Sequence, residues 1–287
     1  MNDVIVVGGG PAGVSAALYT LRANINTRIF THGGSSLVKA EKIDNYYGFE
    51  DGISGIDLYN NGLGSVRSLG GEIIEEEVVN ITFDNEFIVK TNNATYSAEY
   101  LILANGVSRK SPNIAGLKEL EGSGVSYCAV CDGFFYKGKD VVVIGNGEYA
   151  ISEANELKGI ANSVKILTNG DAPPNTDIIT DTRKIMSIDG NINVDSITFE
   201  DGDKLSSSGV FVALGSAGGT DLARKIGAII SNNKIVVDEN MLTNIPKLYA
   251  AGDCTGGVMQ ISKAVYQGMN ASMDIIKQIR KGWYYST

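Results

Sequence analysis

The sequence predicts an α/β protein of two domains, with the second inserted in the first. Three observations carry this reading. Residues 3–17, DVIVVGGGPAGVSAA, have a counterpart in residues 140–154, DVVVIGNGEYAISEA. Each copy is a short apolar run, then Gly-x-Gly-x-x-Gly/Ala, then a helix-forming run, and Gly8 and Gly145 stand 137 positions apart. The last segment, KLYAAGD (247–253) with a helical pattern over 258–281, continues the style of the first copy. One glycine pattern is weak evidence, but two in strand–turn–helix context define two Rossmann-like dinucleotide-binding-type domains.

Taken in order, each element has a local reason. After the first loop and helix, TRIFTH (27–32) supplies the second strand, and SVKILTN (163–169) does so after the second loop. Thr31 follows Gly13 by 18 positions, as Thr168 follows Ala150. Residues 73–90 alternate apolar and polar in stretches, as in EFIVKT, which predicts antiparallel strands. YLILANG (100–106) and GVFVALGS (209–216) are short buried strands at corresponding places in the two halves. The expected division is one discontinuous domain of residues 1–108 plus 242–287 and an inserted domain of 109–241. The loosest stretch is 169–182, rich in Asn, Asp and Pro.

Composition narrows the function. Of 287 residues, 43% are hydrophobic and 20% charged, as in ordinary globular proteins. The net charge of −9 disfavours nucleic-acid binding. No apolar run reaches the roughly 18 residues of a membrane span. The N-terminus enters a strand with no basic region or cleavage site, which argues against secretion. Three cysteines make no disulfide scaffold, so a reducing, cytoplasmic setting is expected.

In the first loop, Gly8 permits the turn out of the strand, Gly10 lets backbone approach a pyrophosphate, and Gly13 lets the helix pack on the sheet. The helix N-terminus then offers N–H groups to an anion, and Pro11 suits its first turn. The acid expected about 20 residues on is replaced by Thr31 and His32. His32 is the only histidine, so Ser-His-Asp and Cys-His catalysis are excluded as simple readings, and it receives no catalytic role.

Tyr127-Cys128-Ala129-Val130-Cys131-Asp132-Gly133 is the most chemical segment. Two thiols at this spacing can close a disulfide that two-electron reduction opens. Zinc would need two further ligands, and only Cys254 and His32 remain, without paired spacing. Asp132 could move the proton that exchange requires, or serve as a turn residue before Gly133. Cys254 is expected to pack and not to react.

These motifs, in this order and over the whole chain, resemble the low-molecular-weight thioredoxin reductases, with CAVCDG similar to that family's Cys-Ala-x-Cys-Asp-Gly. The resemblance implies FAD held by Gly8, Gly10, Pro11, Ala12 and Gly13, by Gly34, Asn45 and Gly106, and by Gly252, Asp253, Gln260 and Ile261. It implies Cys128 and Cys131 as the redox pair, Cys131 facing the flavin, Asp132 as proton donor, thioredoxin as acceptor, and a homodimer. The departures from the family are equally specific. Family members that use NADPH carry a His-Arg-Arg-type cluster after the second βα unit; here the stretch reads LTNGDAPP (167–174), and no Arg occurs between Arg109 and Arg183. Thr168 replaces the acid an NAD ribose would use, and Tyr149 stands in the glycine loop where a small residue is usual, crowding a pyrophosphate.

This pattern is similar to the ferredoxin-dependent flavin thioredoxin reductases, which lack the nucleotide motifs. Ferredoxin is therefore the expected donor, with Arg109/Lys110, Lys137/Lys139 and Arg280/Lys281 as candidate basic patches. An NAD(P)H-dependent reductase and a non-enzymatic flavin-binding redox sensor are the alternatives. The aromatic tail Gly282-Trp283-Tyr284-Tyr285 either packs on the body or stacks near the flavin ring.

Overall fold

The structure is a computed structural model that describes residues 3–106 and 112–284. The chain divides into two compact units, Met1–Val107 with Gly218–Thr287, and Ser108–Ala217. The expected boundary at 108/109, the Arg109/Lys110 pair and the side chains of the 282–285 tail lie outside the described residues.

The first unit starts with β1 (Asp3–Val7), whose last four residues are all buried, as in a parallel strand covered on both faces. Helix α1 (Pro11–Arg22) begins where Pro11 fixes φ, behind a Gly10 N-cap that provides no side-chain bond. It is followed by β2 (Asn26–Phe30), by α2 (Gly55–Ser68), capped by Ser54 Oγ accepting the Asp57 N–H at 3.1 Å, and by β3 (Glu72–Ile74). Strands β4 (Val78–Asp84), β5 (Glu86–Thr91) and β6 (Thr95–Ala98) form an antiparallel meander with Asn85 at φ 65° in its tight turn, whereas β3, at the start of the 73–90 stretch expected to be antiparallel, pairs parallel with β2. Strand β7 (Tyr100–Leu103) is buried throughout.

The second unit contains β8 (Val125–Ser126), the one-turn α3 (Ala129–Asp132), β9 (Asp140–Ile144), α4 (Glu148–Lys158) and β10 (Ser163–Leu167). Next come β11 (Thr180–Asp181), the antiparallel trio β12 (Ile185–Gly190), β13 (Val194–Phe199) and β14 (Lys204–Ser206), and β15 (Gly209–Val212). Its parallel sheet has the order β11-β10-β9-β15-β8. The stretch expected to be loosest thus contributes an edge strand.

The chain returns to the first unit with α5 (Gly219–Lys225), the small hairpin β16 (Ile230–Ser231) and β17 (Lys234–Ile235), β18 (Leu248–Ala250) and α6 (Ile261–Tyr284). This corrects the expected return at residue 242. Residues 218–241 belong to the first unit because α5 docks there: Lys225 Nζ donates to the buried Val79 carbonyl at 3.0 Å, and a Cβ on Gly219 would come 2.9 Å from Cys254 Cβ.

The first sheet has the order β18-β7-β1-β2-β3, and each of its pairings is parallel. In both sheets the glycine loop leaves a central strand, β1 or β9, where connections run off to opposite sides, the usual ligand position of such sheets. One face of the first sheet carries α1 and α6 around Val4, Val6, Ala16, Ile102, Tyr249 and Ile275. The two helices approach closely: a Cβ on Gly268 would fall on the Ala12 carbonyl, and Ser272 Oγ donates to Ala16 O at 2.9 Å. The second unit's core gathers Val142, Ile144, Leu167, Phe199 and Val210.

Candidate active site

The three glycines of the first loop meet different surroundings. Gly8 has φ +117°, and a Cβ there would strike the Ala104 carbonyl. A Cβ on Gly13 would fall on Gly8 O and come 3.1 Å from Val6 Cγ1. Both positions are packing positions. Gly10 instead meets no backbone: an added Cβ would come 3.2 Å from Ser35 Oγ, a side chain of the loop beside it. Behind it α1 begins with no side-chain cap and no acid in its first turn. This cradle suits a pyrophosphate, which would accept the amides of Ala12 and Gly13.

The other residues expected around FAD are also found in this unit. Asn45 Nδ2 donates to Gln260 Oε1 at 3.3 Å, joining residues 215 positions apart. Gly34 and Gly106 have φ of 76° and 71°, and nothing lies within 4 Å of an added Cβ on Gly106. Gly252, at φ 85°, sits beside α1: its added Cβ would be 3.1 Å from Ala12 Cβ. Its N–H donates to Gln267 Oε1 at 2.9 Å, Asp253 opens a short 3₁₀ turn, and Ile261 is the first residue of α6. Thr31, in place of the ribose acid, shares a 2.9 Å hydrogen bond with the Tyr59 hydroxyl.

Two lysines in this region were not anticipated from the sequence. Lys263 Nζ donates to Gly252 O at 2.9 Å and lies 3.9 Å from Asp253 Oδ1, and Lys234 Nζ donates to Asp253 O at 3.3 Å. Burial lowers the Lys263 ammonium's pKa below the usual lysine range. Cys254 is buried, its sulfur within 3.3 Å of Ala251 O, and burial pushes its thiol up to about 12.

In the second unit Cys128 and Cys131 form a disulfide. Cys128 is 3% exposed and Cys131 is exposed. The cause is local: Cys128 ends the β8 segment as N-cap of α3, where its Sγ accepts the Cys131 N–H at 3.1 Å. Ser126 holds the segment from below, accepting the Cys128 N–H at 3.1 Å and donating to Asp132 Oδ2 at 2.6 Å. Burial, then the Asp132 carboxylate, raises the Tyr136 hydroxyl's pKa.

The second glycine loop has the same inner packing, since a Cβ on Gly145 would strike Ala213 O. Its surroundings differ. Tyr149 is 2% exposed and its hydroxyl donates to Tyr127 O at 3.4 Å, so the ring lies inside the unit and does not crowd the loop's open face. The exposed residue of the first turn is Glu148, a carboxylate placed where an anion would sit. Beyond β10, Thr168 is fully buried and its Oγ1 donates to Asp171 O at 2.6 Å. Asp181 ends the β11 edge strand alongside Leu167. Arg183, the one guanidinium near this edge among the described residues, is claimed by Asp181 at 2.7 Å, Asp203 at 3.0 Å and Asp201 at 3.3 Å, and lies 3.9 Å over the Phe199 ring.

Comparison with known proteins fits this geometry. The sequence pattern of the pyridine nucleotide-disulphide oxidoreductases matches residues 2–268, and the chain belongs to that family. It is 34% identical to the thioredoxin reductase of Listeria innocua, over 97% of this chain and 94% of that one, and 32% identical to that of Bacillus subtilis, over 95% and 93%. Within the family it is one of the low-molecular-weight thioredoxin reductases, FAD-binding disulfide reductases. Among solved structures it is similar to an atypical thioredoxin reductase from Desulfovibrio vulgaris Hildenborough (TM-score 0.92, 36% identity, 97% of this chain and 99% of that one). It also resembles a ferredoxin-flavin thioredoxin reductase from Clostridium acetobutylicum (TM-score 0.73, 32% identity, 97% and 98%). Among the described residues no helix is long and apolar enough to cross a membrane.

Proposed function

We propose that this reductase takes its electrons from ferredoxin and delivers them through the Cys128–Cys131 pair to thioredoxin, as a homodimer in the cytoplasm. The observation that carries the choice of donor is the state of the edge beyond β10. A 2′-phosphate there would meet one guanidinium already shared among three carboxylates, and a ribose would meet a Thr168 sealed under Asp171. The likeness to a ferredoxin-flavin enzyme supports the same reading. An NAD(P)H-dependent alternative draws on one feature, the uncapped start of α4 behind Gly147.

FAD would be held by Gly8, Gly10, Pro11, Ala12 and Gly13 at the pyrophosphate, with Gly34, Asn45, Gly106, Gly252, Asp253, Gln260 and Ile261 around its remainder. When bound, it supplies exchange between one-electron and two-electron carriers. The protein's own chemistry is thiol exchange. The Cys128–Cys131 disulfide takes up two electrons and two protons and opens to a dithiol. Asp132, held by Ser126, passes a proton to a departing sulfur. One thiolate of the pair attacks the thioredoxin disulfide, forming a mixed disulfide and releasing one thioredoxin thiol. The second cysteine displaces the remaining thioredoxin sulfur, which restores Cys128–Cys131 and leaves reduced thioredoxin.

An anaerobic titration tests the donor. Reduced ferredoxin bleaches the flavin absorbance, and millimolar NADPH or NADH leaves it unchanged. Rapid stoichiometric bleaching by either nucleotide refutes the ferredoxin reading.

A further inference from the structure

The corner between β18 and α6 gathers more positive charge than its own backbone uses. Gly252 O already accepts the Thr255 N–H at 3.2 Å and the Thr255 hydroxyl at 2.8 Å, two donors for its two lone pairs. The Lys263 ammonium, at 2.9 Å, is a third donor to the same oxygen. Lys234 Nζ donates to the next carbonyl along, that of Asp253, at 3.3 Å. Against these two cations stands one carboxylate, Asp253, whose Oδ1 is 3.9 Å from Lys263 and outside hydrogen-bond range. The Lys263 side chain is only 20% exposed. Taking an ammonium out of water for a carbonyl that is already served is a cost the backbone does not explain.

The place of this corner supplies the explanation. An added Cβ on Gly252 would come 3.1 Å from Ala12 Cβ, in the first turn of α1. Lys263 stands in the first turn of α6, and two residues on, Val265 O accepts the Ser15 hydroxyl of α1 at 2.7 Å. The two cations are therefore built into the wall beside the pyrophosphate cradle. The start of α1 has no acid and no side-chain cap, so its dipole adds to their potential and nothing in that turn cancels it.

We infer that Lys263, backed by Lys234, is a further cofactor-binding determinant whose positive charge holds the FAD pyrophosphate at the α1 cradle. Backbone amides give that anion direction, and the lysines give it a favourable field. Asp253 offsets one of the two charges and leaves the other for the cofactor. The inference rests on the reading that FAD lies along the Gly8–Gly13 loop.

The test dialyses the FAD-loaded, full-length protein to equilibrium against buffers of known FAD concentration and reads Kd from the bound fraction. It is run at about 20 mM and about 300 mM salt, where the Debye length falls from about 20 Å to about 6 Å. Lys263→Met keeps the aliphatic stem and removes the charge. It is expected to weaken FAD about tenfold at low salt, the size of one charge-assisted contact, and about twofold at high salt. Lys234→Met, which leaves Gly252 O untouched, shows the same salt-dependent loss at about threefold. Lys263→Arg keeps the charge and stays within about twofold of the unaltered protein. An unchanged Kd in Lys263→Met overturns the inference. So does an equal loss at both salt concentrations, which would make the lysine a brace for the corner and not a charge for the cofactor. Should Lys263→Met fail to fold, Lys234→Met decides alone, and an unaltered Kd in it at low salt is refuting. Gly10→Val, run alongside, tests the cradle itself: if it binds FAD as the unaltered protein does, the loop assignment falls, and the inference with it.

Discussion

Replacing Gly10 and Gly13 separately by Val distinguishes a glycine that faces the cofactor from one that serves packing. Gly10 has φ −77° and ψ −176°, extended backbone that any residue adopts, and its added Cβ meets only Ser35 Oγ. Val there costs the fold about 1 kcal/mol, the price of a poor N-cap. Its branches, however, stand between an incoming pyrophosphate and the amides of Ala12 and Gly13. Losing two charge-assisted hydrogen bonds at about 1.5–3 kcal/mol each weakens FAD by about 3–6 kcal/mol, a factor of about 10²–10⁴ in Kd. At Gly13 the new Cβ collides with Gly8 O, which cannot move without displacing the end of β1. Gly13→Val is therefore expected to lose about 3 kcal/mol or more of folding stability. The absorbance ratio at 280 and 450 nm reads flavin content, fluorescence titration of the apoprotein reads Kd, and urea unfolding reads stability. The reasoning is refuted if Gly10→Val purifies with full flavin at unchanged Kd, or if it unfolds as readily as Gly13→Val.

Other expectations follow from the same geometry. Cys128→Ser and Cys131→Ser each abolish thioredoxin reduction in a coupled insulin assay while leaving flavin bleaching by the donor intact; normal turnover in either variant contradicts the relay. Flavin reduction by ferredoxin slows as ionic strength rises from 10 to about 200 mM, because charge steering is screened, and a salt-independent stopped-flow rate argues against it. Asp189 accepts hydrogen bonds from Thr198, Ser187 and Lys204, and the Thr198 hydroxyl first among them holds its carboxyl at about 2. Since the folded value lies below the unfolded one of about 3.9, this stabilisation is complete above about pH 4 and is lost as pH falls toward 2. Asp189→Asn should be about 1 kcal/mol less stable at pH 7 and indistinguishable near pH 2 in urea unfolding; a constant difference across that range would contradict the assignment.

The fold was legible because its signals are local. The Gly8-x-Gly10-x-x-Gly13 and Gly145-x-Gly147-x-x-Ala150 loops each need strand before and helix after, and apolar runs such as YLIL fit only buried strands. The return point at 218 was not legible, since α5 belongs to the first unit through a tertiary contact, Lys225 with Val79, that leaves no periodic trace. Tyr149 misled for a related reason: its position in the glycine motif suggested an obstacle, whereas the start of α4 turns it inward. Glu153 carries a readable signal in the sequence. It occupies the buried stripe of α4 with Tyr149 and Leu157, where a carboxylate is out of pattern. Arg183 could not have been read at all, because its three aspartates converge only through the pairing of β10–β11 and the β13–β14 turn.

The burial of Cys254 gives the protein a convenient internal bookkeeping of thiols. Burial pushes its thiol well above the usual range and leaves it no exposed surface, so Cys254 is held as an unreactive thiol at neutral pH. Native labelling should thus count no reactive sulfur in the oxidised protein and the exposed Cys131 once the pair is reduced, with Cys254 appearing only on denaturation. An ordinary thiol reagent then becomes a direct gauge of how many electrons the pair holds at any moment of turnover, with no mutation needed to silence the background.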